Sequence, residues 1–502
     1  MDEIAARQST LWPREWSWPR PQMAALTAGL VITAVVFRLL WDRFLDPFED
    51  GYQNWWIASS FVQTGVYSDP YAGMLRGNWL PGYTFFLTGL VASFGSHIMP
   101  LMKGTNILFS LGTTAAIYFL ARPRGRLVAA VSSALFVLNP SDIVISSFAT
   151  PESLTLLAAF AGVLFIERRP LGARRSLIVA SVLFLLASTL RYEAWGFIGA
   201  YLLWTWRQKG INRQELTWLA TPALVFMAAW WLWTTQYGFL PAIIVNQTST
   251  DVRYKQSIGA LAPLTDRLGS FFGWYLAYAP LAALALAWAA YAERKSQFAV
   301  ILTLFYGAEI IYTLSNFGNP SPRYIHLTVP IVCIFAAQSL VSIGTRTIQS
   351  FARLRTLGRF APVLAGLAIS LLLSIVVVNP SPPAGFLLGG MQRAGTYLSE
   401  LQLPPGKLLV SESPIAAYYS AYPASLIIGS SFLPTDAQNA SSFLVQNAEY
   451  VVMVTVQYYR LRTLFPEQAN GVNGNHLVLL YDATGAEYDF GAPRVLVFQV
   501  VP

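Results

Sequence analysis

The chain has 502 residues, 55% of them hydrophobic, 14% aromatic and only 12% charged, with a net charge of +8 and a mean hydropathy of +0.47. That composition excludes an ordinary water-soluble protein and describes a polytopic membrane protein whose positive charge sits in arginine-rich loops at an anionic membrane surface; no basic stripe with interleaved aromatics suggests a nucleic-acid partner. The single cysteine, Cys333, excludes internal disulfides, and His97, His326 and His476 lie too far apart in sequence to form a zinc motif.

In chain order, the first 20 residues hold acids, prolines and tryptophans rather than a cleavable leader, and read as a cytoplasmic N-terminus. Apolar runs then predict spans near 22–42, 101–121, 127–139, 153–166, 177–190, 194–206, 216–235, 269–291, 297–314, 323–343 and 360–378. The segment 80–99 is ambiguous by hydropathy. If it does not cross, the basic loops around Arg122, Arg168, Arg207, Arg294 and Arg346 all share the side of the N-terminus, as the positive-inside rule demands. The expectation is therefore about eleven transmembrane helices in a module over 21–378, with a first external loop at 43–100 carrying juxtamembrane helices.

The remaining polar segments then gather on the outer face, among them 139–152 and 236–267. Residues 379–502 have the composition of a soluble domain. A helix over 392–401 and short β-rich runs at 407–411, 425–428, 450–456, 476–481 and 494–501 predict a small extracytoplasmic α/β domain. No Walker-type loop is present to bind a nucleotide, so an activated substrate would have to arrive through the membrane.

The first loop contains adjacent acids, Glu49 and Asp50, in Glu49-Asp50-Gly51-Tyr52. Paired carboxylates at a membrane edge are costly unless they hold a cation, accept a proton or bind a polar substrate; a hydrated acidic loop is the bland alternative. Glu309 falls inside an apolar span and reads either as a polar floor to a site or as a partner for Arg38. Arg191 and Glu193 flank a tyrosine at a span end, and Arg323 precedes Tyr324 at another; both pairs suit phosphate binding and equally suit interfacial anchoring. Arg253 and Lys255 add a cationic cluster to the external loop at 236–267, which reads equally as solvated chain.

The order of Glu49-Asp50-Gly51-Tyr52, Trp79-Leu80-Pro81-Gly82-Tyr83, Asn139-Pro140-Ser141-Asp142 with Thr150-Pro151-Glu152, Arg191-Tyr192-Glu193 and Arg323-Tyr324 resembles the polytopic GT-C glycosyltransferases that use polyprenyl-phosphate sugars. Protein O-mannosyltransferases, aminoarabinose transferases and arabinofuranosyltransferases are such proteins. The resemblance implies an integral, multipass inner-membrane enzyme. It would transfer a sugar, with mannose a guess from family frequency, from a polyprenyl-phosphate donor to an envelope lipid, glycan or protein, with inversion and on the extracytoplasmic side. It also implies Asp50 as base, with Glu49 sharing that role or holding sugar hydroxyls. Asp142, Glu152, Arg191, Glu193, Arg253, Lys255, Glu309, Arg323 and Tyr324 become substrate-binding candidates. The first loop lacks the Asp-x-Asp of metal-dependent oligosaccharyltransferases, so no metal site is assigned and no cofactor is expected; a divalent cation would need oxygen ligands. The alternative class is a transporter or lipid flippase of envelope precursors, against which no internal repeat is visible.

Overall fold

The computed structural model describes residues 20–41, 49–71, 79–235, 265, 269, 281–315, 322–350, 361–377, 382–455, 459–483 and 494–502. Elements are numbered among these. Helices α1 (Arg20–Trp41), α2 (Asp50–Thr64), α3 (Pro81–Phe94), α4 (Met99–Ala121), α5 (Arg126–Val137), α6 (Pro140–Ser146), α7 (Glu152–Arg168), α8 (Ala173–Leu190), α9 (Glu193–Arg207) and α10 (Arg213–Thr234) form the first part. Helices α11 (Ala282–Tyr291), α12 (Gln297–Ser315), α13 (Val329–Ser350) and α14 (Ala361–Val377) follow, with a 3₁₀ helix at Pro322–Thr328 leading into α13.

Four helical stretches among the described residues are long and apolar enough to cross a bilayer: Met99–Arg124, Ala173–Leu190, Arg213–Thr234 and Arg323–Thr345. The pair α5 and α6 makes a fifth only if a 56° bend is allowed. That bend departs from the expected polar loop at 139–152. Pro140 enters at the first helical position, and the Asn139 side chain accepts hydrogen bonds from the Ser141 and Asp142 N–H groups at 3.0 and 3.3 Å, so a new helix starts at once. Its residues are all buried. Helix α3 occupies 14 residues of the segment 80–99.

The expected α/β domain is present. Helix α15 (Pro382–Ser399) leads to β1 (Leu408–Ser411), α16 (Pro414–Tyr419), β2 (Ile427–Ile428), α17 (Ala437–Asn447), β3 (Ala448–Val454), α18 (Arg460–Leu464), β4 (Leu477–Asp482) and β5 (Val495–Val500). The sheet order is β2-β1-β3-β5-β4, with β1 parallel to β2 and β3, and β5 antiparallel to β3 and β4. Alternation along β3 sends Val451 and Met453 to a core with α17 and α18. Tyr450, Val452 and Val454 face the opposite way, into a second core shared with Tyr52, Trp55 and Trp56 of α2. Tyr418 of α16 meets Trp55 edge-on at 4.9 Å between ring centres. The domain is thereby packed onto the loop that carries Glu49 and Asp50.

Candidate active site at the helix ends

Glu49 is already helical in backbone (φ −73°, ψ −11°) and its carbonyl accepts from Gln53 N–H at 2.9 Å, so Asp50 occupies the first turn of α2, where the helix dipole favours an acid. Gly51 brings that turn against the neighbouring loop, since a Cβ there would lie 2.9 Å from the Ala149 carbonyl oxygen. Ala149 precedes Glu152 by three residues, so this close approach delivers Asp50 to the start of α7.

There Arg323 bridges the two acids. Its Nη1 pairs with Asp50 Oδ2, its Nη2 with Glu152 Oε1, and its Nε donates to Glu152 Oε1 at 2.8 Å. Arg191 reaches the same Glu152 oxygen through Nη1 at 3.0 Å and grips Glu193 in a fork, Nε to Oε2 at 3.1 Å and Nη2 to Oε1 at 2.5 Å. Glu152 is 3% exposed, Arg323 11% and Asp50 24%, so the network grades from sealed to open along one direction. The space enclosed by Glu152, Thr155, Arg191, Glu193, Arg323 and His326 is about 10 Å³, room for roughly one water.

The two adjacent acids diverge. Glu49 turns toward the C-terminal domain, where the Tyr459 hydroxyl donates to its Oε2 at 3.2 Å and Tyr71 in turn donates to Tyr459 at 3.3 Å. The residue keeps partial exposure, but its Oε1 is sealed from solvent and makes no hydrogen bond among the described residues. Burial, with a smaller contribution from the Asp50 charge, pushes Glu49 up to about 8, against partial relief from Tyr459. Glu49 is accordingly a neutral acid near pH 7, able to donate a hydrogen bond.

Tyr459 is held by a residue for which the sequence offered no signal. Glu412, 1% exposed just after β1, accepts from Leu461 N–H at 2.7 Å and Val454 N–H at 3.1 Å, tying the end of β3 to the start of α18, which Tyr459 immediately precedes. Burial pushes its carboxyl up to about 7.

Five of the candidate residues, Asp50, Glu152, Arg191, Glu193 and Arg323, meet in one network. Tyr324 lies among the charges of Glu193, Arg191, Arg323 and Glu309, and Glu309 is 6% exposed on α12. Asp142 sits deeper, fully buried and paired with Arg38, which also donates to Ser146 Oγ at 2.7 Å, Ser110 Oγ at 2.9 Å and the Ala34 carbonyl. Arg38 is therefore satisfied by Asp142 and not by Glu309. His326, which spacing alone did not single out, links the two layers: its Nδ1 is 2.6 Å from Ser141 Oγ and its Nε2 3.9 Å from Asp142 Oδ1, while the same ring lines the space beside Glu152. Arg253 and Lys255 lie outside the described residues.

The helical bundle with its small C-terminal α/β domain has the GT-C fold. Among solved structures it is similar to ArnT from Cupriavidus metallidurans bound to undecaprenyl phosphate (TM-score 0.59, 13% identity, 95% of this chain and 98% of that one). It is also similar to the archaeal oligosaccharyltransferase AglB from Archaeoglobus fulgidus in complex with an inhibitory peptide and a dolichol-phosphate (TM-score 0.56, 13% identity, 88% of this chain and 70% of that one). No protein-family model and no curated protein sequence matches the chain.

Proposed function

We propose that this chain is a membrane glycosyltransferase that moves a sugar from a polyprenyl-phosphate carrier to an acceptor at the face where Asp50 and Arg323 meet, with inversion. The observation that carries this reading is the shared network of Asp50, Glu152 and Glu193 with Arg191 and Arg323. Displacement at an anomeric carbon needs a base for the incoming hydroxyl and cations for the leaving phosphate, and here both kinds of group lie within one ion-pair chain. That two proteins of the same fold are described with dolichol-phosphate and undecaprenyl phosphate supports the choice of carrier.

In this reading Asp50 takes the proton of the acceptor hydroxyl. Arg323, now shared between Asp50 and Glu152, turns its outer Nη1 to the donor phosphate and frees Asp50 as it does so. Arg191 stays clamped by Glu193 and backs Glu152. Neutral Glu49 donates to a sugar or acceptor oxygen from the side of the C-terminal domain. The proposed orientation puts this end of the bundle and the α/β domain outside the cytoplasm and the arginine-rich loops inside, with module boundaries near residues 21 and 379.

The test is sugar transfer in membranes containing the wild type or Asp50→Asn, with a panel of labelled polyprenyl-phosphate sugars. Transfer from one donor that disappears in a folded Asp50→Asn protein is the expected result; transfer unaffected by the substitution removes Asp50 as base.

A further inference from the structure

At the opposite end of the bundle from Asp50, three arginines surround a cavity of about 610 Å³ with apolar walls. Helix α7 connects the two places. It is a helix of 17 residues that begins at Glu152 in the ion-pair network and ends at Arg168 on the cavity, about 24 Å away at 1.5 Å per residue. Arg122 and Arg126 line the cavity from the turn between α4 and α5, and Phe119 and Leu164 supply apolar wall.

The charge balance here is unlike that of the arginines next to it. Arg124 is 3.8 Å from Glu293, and Arg169 is 3.1 Å from Glu215. Among the described residues no carboxylate pairs with Arg122, Arg126 or Arg168. The acid beside them in sequence, Glu167, accepts from Tyr201 Oη at 3.0 Å and Gln297 Nε2 at 2.6 Å; its charge acts on Arg168 without forming an ion pair, against the opposing charges of Arg124 and Arg122. Arg168 is held at the cavity by the end of α4, its Nη2 donating to the Phe119 and Leu120 carbonyls at 3.3 Å each. Arg126 opens α5, so the positive end of that helix dipole adds to the same field. Arg122 and Arg168 are exposed and Arg126 is half-buried, so solvent screens part of their mutual repulsion, and an anion between them relieves the rest.

We infer that this cavity binds the phosphodiester headgroup of an anionic glycerophospholipid from the leaflet opposite the proposed active site. The volume lies within the roughly 300–1,000 Å³ of small-ligand sites and exceeds what a lone phosphate fills. The apolar wall reaches the surface at Phe119, 46% exposed, which suits the start of an acyl chain and is wasted on a free anion. Arginine forks match phosphate oxygens, and the positive-inside face is where anionic lipid is met. This inference is independent of the transferase reading, because it concerns neither the donor nor the catalytic network.

The test uses the full chain in detergent after exposure to phosphatidylglycerol and phosphatidylcholine in equal amounts, with bound lipid counted by native mass spectrometry. The wild type is expected to retain one phosphatidylglycerol, and Arg122→Gln/Arg126→Gln/Arg168→Gln at least tenfold less. The control Arg174→Gln/Arg175→Gln, in a basic loop outside the cavity, is expected to retain it as the wild type does. Equal retention by the triple variant, or equal loss in the control, overturns the site in favour of diffuse surface charge. Displacement of the lipid by millimolar inorganic phosphate would make it a free-anion site and overturn the lipid assignment. If the triple variant does not fold, Leu164→Trp fills the cavity with every arginine kept; retained phosphatidylglycerol in that variant refutes the inference, and its loss supports it.

Discussion

Glu49→Gln isolates the cost of holding an acid against the C-terminal domain. In the unfolded chain Glu49 titrates near its ordinary 4.5, whereas the folded environment pushes it up to about 8. A raised carboxyl pKa leaves stability intact below pH 4.5, drains it as pH rises between the two values, and completes the loss above pH 8. Each pH unit in that window is worth about 1.4 kcal/mol, so the burden is about 3 kcal/mol at pH 7, an upper bound because one edge of the residue reaches solvent. Glutamine carries no such burden and still accepts from Tyr459. Thermal unfolding followed by tryptophan fluorescence in detergent from pH 4.5 to 8.5, with Trp55 and Trp56 as nearby reporters, should show the two proteins alike at the acid end and Glu49→Gln the more stable at pH 8. Parallel profiles across the whole range would refute the assignment of Glu49 as a neutral buried acid. In transfer assays at pH 6 the variant should keep activity that Asp50→Asn loses.

Arg323→Ala leaves Asp50 and Glu152 without their bridge; loss of one partner from a buried pair costs about 3–5 kcal/mol, and transfer activity should vanish while lipid-donor binding weakens in a filter assay. Gly51→Ala forces a Cβ against the Ala149 carbonyl and should displace Asp50 from Arg323, lowering turnover more than thermal stability. Tyr459→Phe removes the larger of the hydrogen bonds that hold Glu49 down, so the upper end of the pH window of stability loss should rise while its lower end stays near pH 4.5 in the same fluorescence titration. Asp142→Asn should destabilise the bundle by about 3–5 kcal/mol by leaving Arg38 buried and unneutralised, read as a lower midpoint of thermal aggregation.

The architecture was largely written in local pattern. Apolar runs of membrane length, arginine-rich turns and period-two alternation after residue 400 are properties of neighbouring residues, so the helical bundle and all five strands of the C-terminal sheet could be read without a fold. The membership of the network was legible for separate reasons: Arg191, Glu193 and Arg323 are conspicuous as charges at the ends of apolar spans, Asp50 as one of two adjacent acids at a membrane edge, and Glu152 through the family resemblance.

What local pattern could not supply was who pairs with whom. The polar run at 139–152 looked like a solvated loop, yet Asn139 caps a helix there and buries Asp142 against Arg38, more than 100 residues away in sequence. Glu49 and Asp50 share one motif but face opposite partners, because one helical step rotates adjacent side chains by about 100°. Glu412 and Tyr459 belong to a domain whose sequence is ordinary; only its packing onto α2 brings the Tyr459 hydroxyl to Glu49, 410 residues earlier. Composition and periodicity decide where a chain is apolar and which way a strand faces, while the pKa of a carboxyl and the partner of an arginine depend on distances across the fold that only tertiary packing sets.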